Sequence, residues 1–373
     1  MPSRTHVQNG SILDGLVVQG PAAARLTIDG RQYLNFSGCG YLALARVPEI
    51  RDAVRLALNQ GVPFAQQLPA AKGAVDEIFD GVEKAAANAC GTEASVYFAS
   101  GYAIGTVGLA SIEQPYEVLF LDADAHYNLK DAAKLLALPT HVFDHCDVDS
   151  LRDLLRHHVG PGQRPLLVTD GVFPTTGRVA PLSEYAAQLM PYEGRLFVDE
   201  AHAFGVIGET GRGAAEYCSV EHLSTIGATL SKAYCAQGAV VGCSAAAARR
   251  LRNQPPIRGA NAGSPLSAAA AAASLAYVSV RPERRRNLGK TVAYLRARLR
   301  GLGVDVIDSP APIVSFHWGQ KSDMEALQRR AFEDGIFINY STYIGAGAEG
   351  TLVCAVFSDH TREDIDALID AMR

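Results

Sequence analysis

The sequence predicts an α/β protein: a mostly parallel central sheet with helices on both faces, followed by a smaller α+β domain at the C-terminus. Three observations carry this. Apolar, strand-like runs alternate with amphipathic helical segments through the middle of the chain, the pattern of strands joined by crossover helices. The polar residues of FASGY, LDADAH, TDGVF, VDEAH and TLSKA all fall at the ends of such runs, where open sheets of this kind gather their ligands. After residue 280 the alternation stops, which marks a separate lobe. At 373 residues the chain exceeds one core of ~100–200 residues. Three parts are therefore expected: an N-terminal arm over 1–40, a large domain over 41–270 and a small domain over 271–373.

In chain order, IRDAVRLALNQ (50–60) repeats its apolar residues at helical spacing. Strands are predicted at SVYFAS (95–100) and VLFLD (118–122), a helix at DSLRDLLRHH (149–158), a strand at PLLVTD (165–170) and a helix at LSEYAAQLM (182–190). RLFVDE (195–200), STIGATL (224–230) and AVVGCS (239–244) complete the set of strands. The C-terminal lobe reads as a long helix over 283–301, strands VDVID (304–308) and IVSFHW (313–318), a helix over 322–335, the strand LVCAVFS (352–358) and a last helix from Thr361.

Composition excludes several classes. The net charge of −5 lacks the basic surplus of a nucleic-acid binder, and the local cluster RPERRR (281–286) reads as a solvated helix start. No apolar stretch reaches 18 residues, and MPSRTHVQNGSILDG lacks the apolar centre of a signal peptide, so a cytoplasmic protein with no membrane contact is expected. Seven cysteines, Cys39, Cys90, Cys146, Cys218, Cys235, Cys243 and Cys354, are scattered and never spaced CxxC. No disulfide framework and no metal site are expected.

The chemistry concentrates in two stretches, VDEAHAFGVIGETGRG (198–213) and TLSKA (229–233). A lysine after a strand is by itself most often a surface residue, but one held near a pocket with a depressed pKa is what Schiff-base chemistry requires. Asp199 at a strand end is a helix cap or loop residue, or a carboxylate that faces a cationic ring nitrogen. His126 in DADAHYNLKDA and His202 in VDEAH carry the same two readings. SGY (100–102) opens a helix whose free N–H groups suit a phosphate. The set, in this order and on successive strand ends, says more than any member.

From LNFSGCGYLAL (34–44) to the C-terminus the chain resembles the α-oxoamine synthases, fold-type-I enzymes that use pyridoxal 5'-phosphate. The resemblance implies that Lys232 carries the cofactor as a Schiff base, that Asp199 pairs with the pyridine nitrogen, that His202 hydrogen-bonds the phenolic oxygen and that His126 stacks on the ring. Ser100, Gly101 and Tyr102 match the phosphate-binding turn, Thr229 a phosphate-contacting hydroxyl, and Ser264 in NAGSPLS a residue that reaches the partner's phosphate in a homodimer. The implied reaction condenses an amino acid with an acyl thioester, on CoA or a carrier protein, to an α-amino ketone.

The departures from the family bear on substrate. FSGCGYLAL stands where members read FSSNDYLGL, placing Cys39 at an asparagine. VPFAQQLPAAKGA (62–74) replaces a glycine-rich segment, Pro174 in VFPTTG replaces a serine, and Val353 in TLVCAV replaces the arginine that holds the amino-acid carboxylate. No apolar residue reproduces a bidentate clamp. Cofactor chemistry is therefore expected to be kept and substrate recognition changed, with Arg258 in PPIRGANAG as a candidate substitute cation. An aminotransferase, a lyase or aldolase-type enzyme, and a non-catalytic homologue that keeps only the fold are the alternatives.

Overall fold

A computed structural model describes residues 12–21, 23–66, 76–112, 115–260 and 262–373. Part of the VPFAQQLPAAKGA segment, residues 67–74, lies outside the described residues. The chain begins with three antiparallel strands, β1 (Val18–Gln19), β2 (Arg25–Ile28) and β3 (Arg31–Asn35). Asp29 and Gly30 join β2 to β3 with φ of 47° and 78°, the two left-handed positions that an Asp-Gly hairpin turn needs. Helices α1 (Pro48–Asn59) and α2 (Glu77–Cys90) follow, α2 capped by the Asp76 side chain, which accepts from the Ile78 N–H.

The central sheet is built from β4 (Ala94–Phe98), α3 (Ile104–Ser111), β5 (Val118–Asp122), α4 (Tyr127–Leu136), β6 (Thr140–Phe143), α5 (Val148–His158), β7 (Pro165–Asp170), α6 (Leu182–Leu189), β8 (Arg195–Asp199), α7 (Ala214–Tyr217), β9 (Ser224–Thr229) and β10 (Ala239–Cys243). Its strand order is β4-β10-β9-β8-β7-β5-β6. All neighbours from β9 to β6 pair in parallel, whereas β10 runs antiparallel to both β4 and β9. The reversal has a local cause. A parallel return needs a crossover of a dozen or more residues, and only residues 230–238 join β9 to β10. The short connection turns the chain back at the carboxyl end of β9, and Lys232 sits in it.

Strands β5 and β7 are buried along their whole length, as expected of a sheet with both faces covered. One face packs Phe120, Leu167, Leu196 and Val198 into the main core, and the other packs Leu119, Leu121, Val168 and Phe197 against α3 and α4. β6, at the edge, was not predicted from the sequence: of its four residues THVF only Phe143 is buried, and they carry no apolar run.

Beyond the sheet come α8 (Ala245–Leu251), α9 (Pro255–Arg258), α10 (Pro265–Ser279), α11 (Pro282–Gly301), β11 (Ile313–Phe316), α12 (Lys321–Glu333), β12 (Ile336–Phe337), β13 (Asn339–Ser341), β14 (Thr351–Ala355) and α13 (Arg362–Met372). The sheet β11-β14-β13 is antiparallel, and β12 pairs in parallel with β3, Leu34 opposite Ile336. The N-terminal strands are thus tied to the C-terminal lobe. The strand expected at VDVID does not form. Val304 and Val306 are buried there, but the backbone carbonyls are taken by helix α11: Arg296 Nη1 donates to Ile307 O at 2.7 Å and Arg300 Nη2 to Val306 O at 3.3 Å. Guanidinium donors do the work of a neighbouring strand. Among the described residues no helix is long and apolar enough to cross a membrane.

Candidate active site

The carboxyl ends of β5, β7, β8 and β9 deliver Asp122, Asp170, Asp199 and Thr229, all buried, to one edge of the sheet. Asp170 and Asp199 are direct partners in the β7–β8 register. The residues that follow β8 then divide. Asp199 accepts from Asn128 Nδ2 on one oxygen and from the Ala201 N–H on the other, both at 2.9 Å. Glu200 instead accepts the N–H groups of Ala214 and Ala215, each at 2.8 Å, at the start of α7. Burial pushes the Glu200 carboxyl up to about 8 against these donors. Gly213, at φ 106°, leaves it room: a Cβ there would lie 2.4 Å from Glu200 Oε2. One acid of the DEAH stretch faces the site, and the other ties down the glycine loop.

Burial raises the Asp199 carboxyl, opposed first by the Lys232 charge. Asp170 is pushed well above the carboxylate range, first by burial and then by Asp199 beside it, while its Oδ2 accepts the His126 N–H at 2.8 Å. A charge on either carboxyl disfavours a charge on the other.

Lys232 reaches back over the sheet end until its Nζ lies 2.6 Å from His202 Nε2. The residue as a whole is half-buried, and burial of the amine depresses its pKa, opposed by Asp199 first. His202 Nδ1 in turn lies 2.7 Å from the Tyr41 hydroxyl. Burial and then the neighbouring Lys232 hold His202 well below the usual histidine range, so its ring is neutral.

His126 occupies the N-cap of α4, with Nδ1 2.7 Å from Asn128 Oδ1 and Nε2 3.0 Å from the hydroxyl of Tyr343. After β4, Ser100 caps the SGY turn, its Oγ accepting the Tyr102 N–H at 3.2 Å. Gly101 passes so close to Thr229 that a Cβ would meet its Oγ1 at 2.9 Å. Ser264 is the N-cap of α10 but makes no capping bond, and the preceding Gly263 packs beside Ala99, 3.3 Å from where its Cβ would stand. Ser100, Gly101, Tyr102, His126, Asp199, His202, Thr229 and Lys232 thus lie at or just after the carboxyl ends of β4, β5, β8 and β9, along one edge of the sheet.

Four residues of the site were not singled out in the sequence. Tyr41 sits inside FSGCGYLAL, Asn128 two places after His126, and Asp170 at the end of a strand that was predicted. Tyr343 comes from the segment between β13 and β14, 217 positions from its partner His126, and carries no sequence signal.

Val353 stands in the middle of β14, opposite Ser315 on β11 and Asn339 on β13. Opposed residues of an antiparallel pair share a face, and Ser315 Oγ donates to Thr176 O in the VFPTTG turn at 3.2 Å. Asn339, Val353 and Ser315 therefore form a neutral row across the sheet β11-β14-β13, on the face from which Ser315 reaches the VFPTTG turn. Arg258, expected in a flexible loop, instead ends the short helix α9 and is exposed.

The aminotransferase class I and II pattern matches residues 46–372. The chain belongs to that family. An 8-amino-7-oxononanoate synthase from Lysinibacillus sphaericus is 30% identical over 355 residues, covering 94% of this chain and 90% of its own. Among solved structures, a serine palmitoyltransferase from Sphingomonas wittichii superposes with a TM-score of 0.87 at 23% identity, covering 96% of this chain and 91% of the other. A second, from S. paucimobilis with bound pyridoxal phosphate, gives 0.87 at 21% identity, covering 97% and 92%. At these identities the two structures speak for the fold, which is fold type I. Within its family the chain is an α-oxoamine synthase, an acyltransferase that depends on pyridoxal 5'-phosphate.

The donor set of this aminotransferase-family site fits that cofactor. An enclosed amine, a buried carboxylate within its electrostatic reach, and a glycine turn beside a threonine hydroxyl supply an amine for an aldehyde, an anion for a ring cation and N–H groups for a phosphate.

Proposed function

We propose that the site joins the Cα of an amino acid to the acyl carbon of a thioester, on CoA or a carrier protein, with loss of the thiol and of carbon dioxide, giving an α-amino ketone. The observation that supports it most is the enclosed Lys232 amine, 2.6 Å from neutral His202 and within electrostatic reach of Asp199. An amine held below its usual pKa is both a nucleophile and a base near neutral pH.

In this reading Lys232 Nζ would hold the cofactor and would be the base that takes the Cα proton. Asp199 holds a proton at the pyridine nitrogen, and the N–H donors on its two oxygens fix its aim. His202 bonds the phenolic oxygen, and His126 stacks on the ring. The N–H groups of the SGY turn and the Thr229 hydroxyl take the phosphate. The cofactor, when bound, supplies the electron sink for the pair left on Cα.

Recognition of the amino substrate differs from the family pattern, because the row Asn339, Val353 and Ser315 offers dipoles and an apolar surface where a guanidinium is expected. Glycine, which has only its carboxylate to be held, is expected to bind weakly, and a substrate with a larger side chain better. The test incubates the holoenzyme with a panel of amino acids, follows the cofactor absorbance, then adds acyl thioesters and identifies products by mass spectrometry. A thioester-dependent α-amino ketone supports the reading. A keto acid formed without thioester, with the amino group left on the cofactor, replaces it with transamination.

The reading also makes the protein a homodimer in which Ser264 of the partner subunit completes the phosphate site. Light scattering should give twice the chain mass, and Ser264→Ala should weaken cofactor retention by about the value of one hydrogen bond to a charged group, ~1.5–3 kcal/mol. A monomer with full activity overturns it.

A further inference from the structure

We propose that Tyr41 is a positioning residue that fixes the tautomer of His202: its phenol donates to Nδ1, so that His202 carries its one ring proton on Nε2 and presents an N–H to Lys232 Nζ. The inference rests on the placement of the cofactor at Lys232 given above.

The argument starts from a chain of three polar groups with little room for choice. Tyr41 is 1% exposed and His202 8%, so each must find its partners inside the protein. The Tyr41 hydroxyl lies 2.7 Å from His202 Nδ1, and His202 Nε2 lies 2.6 Å from Lys232 Nζ. A neutral imidazole donates from one nitrogen and accepts at the other, so the direction of one bond sets the other. The second neighbour of the Tyr41 hydroxyl is the Cys39 thiol. Sulfur is a weak acceptor and a ring nitrogen a strong one, so the single phenol proton goes to Nδ1. The Cys39 S–H is left to donate to the phenol oxygen.

The proton of His202 then stands on Nε2 and points at Lys232 Nζ. An N–H can only be met there by a lone pair, which requires the lysine to be a neutral amine. The opposite tautomer would offer Nε2 as an acceptor and favour the ammonium form, which cannot attack an aldehyde or take a proton. Tyr41 thereby keeps Lys232 in its reactive state without touching it. Burial acts in the same direction on both groups. When an oxygen of the cofactor takes the place of the amine beside Nε2, the same N–H is a donor to it. One proton placement serves both states.

The charged groups that face this chain are few. Asp199 and Asp170, from β8 and β7, act on Lys232, as does Cys39, and His126 acts on His202. None is bonded to His202 Nδ1, which leaves Tyr41 as the group that chooses its tautomer.

Tyr41→Phe removes one oxygen and keeps the ring that packs in the core. The holoenzyme variant should keep its cofactor and its thermal midpoint close to the parent, while the pH midpoint of the cofactor's visible absorbance moves by about one unit or more. Turnover should fall about tenfold, with KM for the amino substrate unchanged within twofold. A merely structural role would lower the thermal midpoint and leave the absorbance titration in place, and that result overturns the proposal. An absorbance titration in Tyr41→Phe identical to the parent overturns it whatever the turnover. The readout does not depend on which product forms: a shifted titration without thioester-dependent product refutes the condensation reading and leaves the role of Tyr41 standing.

Discussion

Lys232→Ala is expected to abolish turnover, by at least about 10³-fold, and to remove the absorbance that depends on a covalent link between protein and cofactor. The size of the effect follows from the double use of one amine in the proposed reading: it would bind the aldehyde and take the substrate Cα proton. No other lysine amine is placed against His202 among the described residues. The two lysines of α4 are occupied: Lys130 donates to Ala123 O at 2.8 Å and Lys134 to Asp131 Oδ1 at 3.0 Å. The fold should survive, because Lys232 lies in the 230–238 connection rather than in a strand. Circular dichroism and the thermal midpoint should match the parent, and phosphate still held at the SGY turn should retain part of the cofactor affinity. A Lys232→Ala protein that cycles at more than a few per cent of the parent rate would remove the amine from its assigned role.

Asp199→Asn is expected to keep cofactor bound but to lower turnover by about 10²-fold or more, the scale of a lost charge-stabilising group in a water-excluded site. The amide keeps the shape of the carboxylate but cannot hold a proton on a pyridine nitrogen. It also turns one acceptor into a donor that would face the Asn128 amide or the Ala201 N–H, both of which donate to Asp199. Glu200 offers no substitute, since its two oxygens are taken by the start of α7. Asp170 is the nearer candidate for rescue, as the register partner of Asp199. Asp199→Asn and the double variant with Asp170→Asn separate the two: near-parental rates in the first and loss only in the second would move the ring-nitrogen contact to Asp170.

The motifs most legible in the sequence were those whose parts are close along the chain. VDEAH and TLSKA each place a functional group within a few residues of a strand end, and the β8 and β9 ends carry them there. The neutral Val353 was legible because a strand pattern, LVCAVFS, fixed its position. What could not be read depends on pairing between distant segments. Asn128 and Asp170 become partners of Asp199 and His126 only because β5, β7 and β8 lie side by side. Tyr343 reaches His126 from 217 positions along the chain. Tyr41 shares FSGCGYLAL with Cys39, and its bond to His202 spans 161 positions. The missing strand at VDVID has a similar origin: burial of Val304 and Val306 was readable, but not that Arg296 and Arg300 would meet its carbonyls.

The pairing of β3 with β12 sets an order for synthesis. Arg25 on β2 bonds Asp364 on α13, 339 positions later, and the Ala24 N–H bonds Asp359. β2 and β3 thus leave the ribosome long before the segments they are tied to. Until β12 is made, β3 carries an open backbone edge, which invites pairing with other chains. The length of β2 and β3 limits the hazard: four and five residues, with Arg25, Arg31 and Gln32 exposed along them. The central sheet has no such wait, since its strands are all made between residues 94 and 243. The nascent protein can finish its catalytic edge first and close the frame around it last.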